Sequence, residues 1–317
     1  MATLTKRPYK GATDEGAIAN LVKICETAQG LEDESSISEV LLKLNAPNIG
    51  QDRDARLWEE RGKLIGLTLL ELTESDRVID AYLWSYIHPE KRDRVLENNT
   101  LKWVEQRLKT IAKQRNLSVN LRVYSREDQM SAILLLKQHG FTIDRTFITM
   151  GRSLYQPIPE PQLPAGFKLI TMKDLTELEP WVETYNESFI DHWNHHDLTV
   201  ETVESWVNSS HYQPELNLIA VAPDNTLAGF CNCNLQTDAA DGLKIGWIEW
   251  LGTRRGFRKM GLGRSLLFAG LQQLKAADME LAKLSVDADS PTGADRLYQK
   301  VGFRPLKTWF AWVKSLK

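Results

Sequence analysis

The sequence has little of what marks secreted, membrane-embedded or nucleic-acid-binding proteins. Its three cysteines, Cys25, Cys231 and Cys233, cannot all pair, and buried reduced thiols are expected instead of disulfides. No apolar run approaches the roughly 18 residues that a membrane span needs, and the opening MATLTKRPYKGATDEG lacks the apolar core of a signal peptide. A net charge of -3 gives no general reason to bind nucleic acid or an anionic membrane. These absences predict a cytoplasmic protein.

The length of the chain suits two globular domains. Its 317 residues allow two domains of roughly 150 residues, each large enough to bury a core. The segment YQPIPEPQLPAG, residues 155–166, is rich in proline and predicts an extended connector without a core of its own. We therefore expect a first domain over residues 1–154, a linker over 155–166 and a second domain over 167–317.

The two halves contain an internal repeat. The stretch AILLLKQHGFTIDRTFITMGRSL (132–154) aligns without gaps with ADRLYQKVGFRPLKTWFAWVKSL (294–316). In each copy helices precede a strand hairpin, whose turns are expected at Arg61-Gly62 and Asp224-Asn225. A strand, a long helix, a strand, a helix and a final strand follow. This order predicts an α/β (α+β) fold in which helices cover both faces of a mixed sheet.

A glycine-containing segment precedes a helix in the second half. After the strand IGWIEWLG (245–252), leucines at helical spacing from 262 to 274 predict a helix. The first turn of a helix has unpaired N–H groups and a partial positive charge, so it can hold phosphate, and Gly261 and Gly263 would let the backbone come close. Five cations near this turn suit a polyphosphate ligand: Arg254, Arg255, Arg258, Lys259 and Arg264. The alternative is an ordinary turn with solvated cations.

Two other glycine motifs fit this segment poorly. A Walker loop would need Lys and then Ser or Thr after Gly263, where the sequence has Arg264 and Ser265. A Rossmann fingerprint would want a third glycine near Leu266 and would not ordinarily follow a basic run. Neither site is predicted.

Two stretches of the second half resemble a known family. RKMGLG (258–263) resembles the RxxGxG signature of the GNAT superfamily of N-acetyltransferases, and VDADSPTGADRLYQKVGF (286–303) resembles the family's later strand and helix ending in LYxxxGF. Together with the repeat, the resemblance covers nearly the whole chain and implies two tandem GNAT-like domains, in a layout of the mycothiol synthase type. It implies in each domain a mostly antiparallel mixed sheet flanked by helices.

The resemblance implies acetyl-CoA as co-substrate, with no metal, and assigns residues to it. The end of the strand would offer main-chain groups to pantetheine, and the glycine loop would hold the diphosphate. Tyr298 would protonate the departing CoA thiolate. The implied acetyl-CoA contacts are Leu251, Gly252, Thr253, Arg258, Lys259, Met260, Gly261, Leu262, Gly263, Arg264, Ser265 and Ser290. Independently, the order Ser290-Pro291 predicts a helix start with Ser290 as N-cap, and helical spacing gives Tyr298 the alternative of simply packing in the core.

The amine acceptor calls for a base. An alkylammonium group has a pKa of about 10.4, about 3.4 units above neutrality, so freeing its lone pair costs roughly 4.6 kcal/mol. Strand alternation places Glu249 on one face with apolar residues, where desolvation would raise its pKa. Members of the family often carry a catalytic carboxylate on this strand, so Glu249 is the predicted base. The alternative is a structural or substrate-binding carboxylate.

The first copy has lost these features. Matching Arg92 to Arg258 puts Val95 and Glu97 at the glycine positions, and Leu136 at the position of Tyr298. A Cβ where the backbone must approach phosphate, and a carboxylate beside it, both oppose binding. We expect a degenerate, structural first domain.

The segment that opens the second domain carries the predicted acceptor contacts. Glu183, Glu187 and Asp191 recur every four residues and form a stripe that could attract a cationic amine, or else a solvated helix face. The histidines that follow lack an HExxH arrangement, so no metal site is predicted. Substrate contacts are predicted at His192, Trp193 and His196. The alternatives are that His192 or His196 serves as the base in place of Glu249, or that these are plain surface or interface histidines.

The sequence thus predicts an acetyl-CoA-dependent N-acetyltransferase that transfers an acetyl group directly to a primary amine of a small molecule. Neither nucleic acid nor a membrane is an expected partner. A protein or peptide N-acetyltransferase keeps the chemistry and changes the acceptor. A non-catalytic acyl-CoA-binding sensor keeps the pocket without turnover.

Overall fold

The chain forms two compact units. The structure, a computed structural model, describes residues 4–29, 34–45, 50, 54–74, 78–92, 94–193, 195–208, 212–237, 242–290 and 293–316. One unit consists of the described residues up to Thr146 together with Gly242 and residues 309–316. The other consists of residues 147–237 and 243–308.

Both units are built from strands and helices. The strands are β1 (Leu4–Arg7), β2 (Ala55–Glu60), β3 (Lys63–Glu74), β4 (Val78–Ile87), β5 (Ser118–Arg126), β6 (Thr142–Ser153), β7 (Lys168–Thr171), β8 (Asn217–Val221), β9 (Leu227–Thr237), β10 (Lys244–Thr253), β11 (Leu281–Asp287) and β12 (Arg304–Leu316). The helices are α1 (Ala12–Gln29), α2 (Glu34–Leu44), α3 (Val95–Arg115), α4 (Met130–Gln138), α5 (Glu179–Phe189), α6 (Val200–Val207), α7 (Leu262–Ala276) and α8 (Ala294–Lys300). Short 3₁₀ turns lie at Pro89–Lys91, Met172–Asp174, Pro214–Leu216 and Arg255–Phe257. Among the described helices, none has the length and apolar character needed to cross a membrane.

The first unit has a mixed, mostly antiparallel sheet. Its strands run in the order β1, β2, β3, β4, β5 and the second half of β12, and β4 and β5 are parallel neighbours. The predicted hairpin is confirmed, because β2 and β3 are joined by Arg61 and Gly62 at φ of 50° and 73°. Two successive residues with positive φ fit the right-handed twist of the flanking strands. Helices α1 and α2 bury one face of the sheet, and α3 and α4 bury the other.

The second unit repeats this arrangement. Its strands run in the order β6 from Phe147 onward, β11, β10, β9, β8 and β7, and β10 and β11 are parallel neighbours. Helices α5 and α6 pack on one face and α7 and α8 on the other. The predicted α/β fold and the order of elements are confirmed. The short first strands, β1 and β7, are additions that the sequence pattern does not predict.

The predicted linker and the last strand depart from the expected division of the chain. The proline-rich segment is not a bare connector, because Ile158 and Leu163 pack against the core of the second unit and Arg152 donates to the Pro157 carbonyl at 2.8 Å. Residues 309–316 pair with β5 in the first unit, although they follow the second copy in sequence. A break at a proline-rich run therefore does not separate the units.

Trp312 tests the place of the last strand. Its ring is 1% exposed in the core of the first unit, and its indole N–H donates to Ser125 Oγ at 2.9 Å. Trp312→Phe should lower the free energy of unfolding by about 1–2 kcal/mol, because a buried hydrogen bond and part of the ring's packing are lost. Urea denaturation measures this, with the exposed Ser315→Ala as control, for which a change within about 0.5 kcal/mol is expected. An unchanged midpoint for Trp312→Phe would contradict this packing.

Candidate functional site

Strands β10 and β11 separate towards their carboxyl ends. They pair in parallel up to Ile248 and Leu284. Beyond these residues β10 runs on to Thr253 beside β9, and β11 runs on to Asp287 beside β6. In the described part of the unit, the edge of β10 that faced β11 therefore has no strand partner after Ile248. Its main-chain groups are the kind that a ligand can pair with.

The predicted helix is confirmed as α7, and it begins directly after Gly261. Gly261 is the N-cap with φ of 86°, and Lys259 before it has φ of 66°. The chain therefore turns through two left-handed residues on its way into the helix. No side chain of a described residue caps this end, so the N–H groups of the first turn are hydrogen-bond donors of the kind that can hold an anion.

Gly263 lies where three elements meet. A Cβ at this position would stand 3.5 Å from Thr253 Oγ1, at the end of β10, and 4.0 Å from Leu297 Cδ2, on α8. The structure thus brings together the end of the splayed strand, the first turn of α7 and the helix that carries Tyr298. These are three of the segments that the sequence assigns to one site.

Tyr298 is buried on α8, the helix that reaches this junction. It is 8% exposed, and its ring packs edge-on against Phe303 with 6.1 Å between centroids. Burial raises the pKa of its phenol, and the charge of Cys231 adds to the effect. Packing at helical spacing is confirmed, and the role of Tyr298 as an acid stays a prediction. Its phenol is a neutral proton donor at physiological pH.

Glu249 occupies a bulge in β10. The pairing with β9 passes from Ile248–Cys233 to Trp250–Asn232, which leaves Glu249 as the extra residue. The alternation that predicts a shared apolar face breaks at this point, and Glu249 is exposed. The expected burial of its carboxylate is wrong, because the bulge changes the direction of the side chain. The bulge lies where β10 leaves β11.

Two buried thiols lie close to both predicted catalytic residues. Cys231 and Cys233 are free and buried on β9, as the sequence predicts, and their Sγ atoms are 3.9 Å apart. The pKa of Cys233 is raised by its hydrogen bond with Cys231 and by burial, and the charge of Glu249 contributes further. Since Cys231 in turn acts on the pKa of Tyr298, one pair of thiols lies within electrostatic reach of both residues.

Comparison with known proteins identifies the second unit. Residues 178–303 match the profile of the acetyltransferase (GNAT) family. These residues form a GNAT domain. A mycothiol acetyltransferase from Thermobispora bispora is 31% identical over 190 residues, which cover 58% of this chain and 62% of that protein. The match therefore spans less than two thirds of that relative's length.

Solved structures confirm the tandem fold. A GCN5-related N-acetyltransferase from Sphaerobacter thermophilus is similar with a TM-score of 0.75 at 27% identity, over 98% of this chain and 95% of that one. A tandem GNAT protein from the clavulanic acid biosynthesis pathway has the same fold with a TM-score of 0.70 at 15% identity, over 99% of this chain and 98% of that one. The predicted family and two-domain layout are confirmed.

The acidic stripe of α5 pairs with the basic loop of the GNAT domain. Glu187 accepts two hydrogen bonds from Arg254, at 2.6 and 2.7 Å, and Asp191 pairs with Arg255 and Arg258. Arg255 and Arg258 lower the pKa of Asp191 to about 2, and Arg254 lowers the pKa of Glu187. The stripe is thus paired with arginines, while the side chains of Glu183 and Glu187 stay 62% and 46% exposed. The solvated-face interpretation therefore holds in part, and the attraction of a cationic amine stays a prediction. Three of the five cations are engaged with carboxylates.

Lys259 and Arg264 are the remaining cations of the predicted polyphosphate site. Both side chains are exposed, and neither forms an ion pair with a residue in the described part of the chain. Lys259 precedes the helix and Arg264 lies in its first turn. The positive charge open to a phosphate is therefore smaller than the sequence indicates, and it lies closer to the helix start.

The remaining predicted acetyl-CoA contacts on β10 and the glycine loop differ in how they pack. Gly252 is required by close packing, because a Cβ there would stand 2.5 Å from the Phe230 ring and 2.9 Å from Ser188 Cβ. Leu251 and Leu262 pack in the core, and Met260 is 50% exposed.

Ser265 connects the helix start to the proline-rich segment. Its hydroxyl donates to the carbonyl of Gln162, and the Gly261 carbonyl lies 3.3 Å away. The side chain is therefore used within the protein. A contact of Ser265 with acetyl-CoA would depend on its backbone.

Ser290 is not a helix cap. Helix α8 begins after Gly293, which has φ of 66°. The N-cap prediction is wrong because the chain turns first, and the Ser290 N–H donates to the Asp287 carbonyl at 3.1 Å. Ser290 lies in this turn at the end of β11, on the strand that separates from β10.

The predicted acceptor residues follow α5. His192 is exposed, with its ring edge-on to Phe189 at 5.6 Å between centroids. Trp193 is half-buried and packs against Phe147 at 5.7 Å. His196 is half-buried in the same segment. The contacts of these three residues with a substrate stay predictions.

An aromatic group lies beneath α5 and α6 that the sequence does not indicate. Trp206 stacks on Trp250 with 5.2 Å between ring centroids, and Tyr185 meets Trp250 edge-on at 5.7 Å. Tyr185 also stacks on Phe230 at 5.8 Å. These residues come from α5, α6, β9 and β10, and no periodic pattern along the chain connects them.

The first copy begins its matching helix one residue earlier than expected. Arg94 is the N-cap of α3, with φ of 69°, so Arg94 and not Val95 corresponds to Gly261. The predicted match of Val95 and Glu97 to the two glycines is therefore wrong by one residue. A non-glycine residue nevertheless holds the left-handed cap position.

Side chains fill the corresponding space of the first copy. Counting from the helix starts, Leu96 takes the position of Gly263, and it is 3% exposed in the core. Its Cδ2 would be 3.2 Å from a Cβ on Gly66. Leu136, which matches Tyr298, is also a core residue and carries no ionisable group. At the two positions that match Gly263 and Tyr298, the first unit thus carries buried leucines.

Proposed function

We propose that the GNAT domain is an acetyl-CoA-dependent N-acetyltransferase that transfers the acetyl group directly to a primary amine of a small molecule. One observation carries the proposal: the uncapped first turn of α7, opened by Gly261 and Gly263, meets both the end of β10 and the helix of the buried phenol of Tyr298. The family of the domain supports acyl-CoA as the donor. The first unit is proposed as a structural copy, because Leu96 occupies the equivalent space.

The residues of the loop fit a diphosphate. The N–H groups of the first helical turn supply hydrogen-bond donors and the positive end of the helix dipole. Lys259 and Arg264 supply exposed charge next to them. The absence of a Cβ at Gly263 leaves the amides open, and the main-chain edge of residues 251–253 extends from the same junction. Diphosphate and pantetheine can thus be held mainly by backbone groups.

Acetyl transfer needs a proton donor and a proton acceptor. The amine nitrogen attacks the thioester carbonyl carbon, so that a C–N bond forms and the C–S bond breaks. Tyr298 gives its proton to the departing sulfur, and Glu249, directly or through water, takes the proton that the amine loses. Solvent then reprotonates the tyrosine and accepts the proton from the carboxylate.

The proposal is tested by titration and by turnover. Calorimetry should find one acetyl-CoA site per chain, and release of free CoA thiol should follow addition of small amines, starting with compounds related to mycothiol. Turnover on peptides alone would select a peptide N-acetyltransferase. Binding of acetyl-CoA without turnover on small amines or on peptides would indicate a non-catalytic acyl-CoA-binding sensor. No heat with any CoA thioester would overturn the proposal.

Glu249→Gln tests the base. At about pH 7 we expect kcat/KM to fall at least about tenfold, because the carboxylate no longer accepts the amine proton. The loss should shrink as the pH approaches about 10.4, where the amine deprotonates without help. The measurement is a pH profile of kcat/KM for both proteins, and calorimetry should give an unchanged affinity for acetyl-CoA. A loss that is equal at all pH values would contradict the role of a base.

A further inference from the structure

We infer that Arg258 is a positioning residue, whose side chain fastens the glycine loop to helix α5 and does not itself bind the diphosphate. The identity of the ligand in this inference rests on the proposed function. The fastening rests on contacts within the protein. It assigns to this arginine a task different from that of Lys259 and Arg264, its neighbours in sequence.

The guanidinium of Arg258 donates to three acceptors. Nε donates to the Thr253 carbonyl at 3.1 Å, and Nη2 donates to the Ser188 carbonyl at 3.0 Å. Nη1 donates to Asp191 Oδ2 at 3.0 Å. Thr253 ends β10, Ser188 lies in the last turn of α5, and Asp191 follows that helix. One planar side chain therefore joins the strand, the helix and the loop.

These contacts set the direction of the loop. Arg258 is the first residue of the segment that turns through Lys259 and Gly261 into α7. A lone exposed ion pair contributes little to stability. The Arg258 side chain is 28% exposed, however, and two of its hydrogen bonds go to backbone carbonyls on separate elements. A rigid guanidinium fork holds such an arrangement, and a lysine ammonium on a flexible stem does not.

The Arg258 side chain also links the glycine loop to the segment after α5 in which the amine contacts are predicted. Asp191 directly precedes His192 and Trp193, the proposed acceptor contacts. Asp191 also pairs with Arg255, so the carboxylate holds two residues of the loop. Loss of Arg258 should therefore loosen both sides of the site, which predicts a higher KM for the amine as well as a weaker affinity for acetyl-CoA.

Hydrogen exchange in the absence of any ligand tests the fastening. Arg258→Lys and Arg258→Met should both raise the exchange rates of the backbone amides of residues 259–265, by about tenfold if the loop loses about 1.4 kcal/mol of local stability. Lys259→Met removes the adjacent charge and should leave these rates unchanged. Glu179→Gln, at the exposed start of α5, is the matched control for a charge change on the helix. Thermal unfolding establishes that all variants are folded.

The affinity for acetyl-CoA at two ionic strengths tests whether Arg258 itself contacts phosphate. We expect both Arg258 variants to raise the Kd about tenfold and to keep the salt dependence of the wild type. Lys259→Met should reduce that salt dependence, because an exposed charge near the ligand is screened by salt. The KM for the amine should rise in the Arg258 variants and stay unchanged in Glu179→Gln.

The outcomes separate this inference from the proposed function. If Arg258→Lys behaves as the wild type in exchange and affinity, a positive charge suffices and the positioning role is wrong. A salt dependence and an affinity that both fall in Arg258→Met and are both restored in Arg258→Lys would likewise overturn it, because the charge alone would then account for the effect. If the wild type binds no CoA thioester, the proposed function fails, and the exchange rates still decide whether Arg258 fastens the loop.

Discussion

Tyr298→Phe is expected to lower kcat by about 10²- to 10⁴-fold, the contribution of a placed proton donor. The affinity for acetyl-CoA should stay the same, because the ring keeps its packing against Phe303. The hydroxyl is the only group removed. Steady-state turnover and calorimetric Kd values measure the two effects separately.

The pH profile adds a second test of Tyr298. Burial raises the pKa of its phenol above the ordinary value, so the proton donor is present in full below that value and is lost only when the pH rises through the raised pKa. No alkaline decline of activity should therefore originate from this residue near about pH 10, where an unperturbed tyrosine ionises.

Tyr86→Phe is the matched control. Burial also raises the pKa of Tyr86, which belongs to the first unit and has no part in the proposed chemistry. Its replacement should leave kcat unchanged. A Tyr298→Phe enzyme as active as Tyr86→Phe would show that Tyr298 only packs.

Gly263→Leu is expected to weaken acetyl-CoA binding about a hundredfold, which corresponds to about 2.7 kcal/mol. The substitution introduces the residue type that stands at the matching position of the first unit, Leu96. A Cβ at position 263 makes ordinary contacts with Thr253 and Leu297, so the helix should persist. The longer side chain would stand where the phosphate must approach the amides.

Gly256→Leu is the control for this substitution. Gly256 belongs to the same loop, and a Cβ there would meet no described atom within 4 Å. Calorimetry should give a wild-type Kd for Gly256→Leu, and circular dichroism should show equal helix content in both variants. Wild-type affinity in Gly263→Leu would show that the diphosphate does not approach this turn.

Much of the fold follows from signals that are local in the chain. The hairpin at Arg61-Gly62 and the helix after Gly261 depend on turn residues and on apolar spacing, which neighbouring residues fix. The repeat then transfers the order of elements from one copy to the other. The sequence also predicts that the glycine loop and Tyr298 belong to one site, because each lies in a motif of the same family pattern.

Other features depend on contacts that spacing along the chain does not encode. The sequence shows the acidic residues Glu187 and Asp191 and the arginines at 254, 255 and 258. It does not show that the two groups form ion pairs, because they are far apart along the chain. The bulge at Glu249 is set by its pairing with β9, so strict alternation fails there. Gly293 replaces Ser290 as the helix cap because a turn at Asp287 intervenes.

The shared strand β12 has a consequence for synthesis on the ribosome. The edge of β5 is covered only when residues 309–316 pair with it, and these are translated after the whole GNAT domain. An uncovered strand edge is a template for aggregation, and domains ordinarily fold from the amino terminus as the chain emerges. The nascent first unit therefore keeps an unpaired strand edge, exposed to aggregation, until residues 309–316 have left the ribosome.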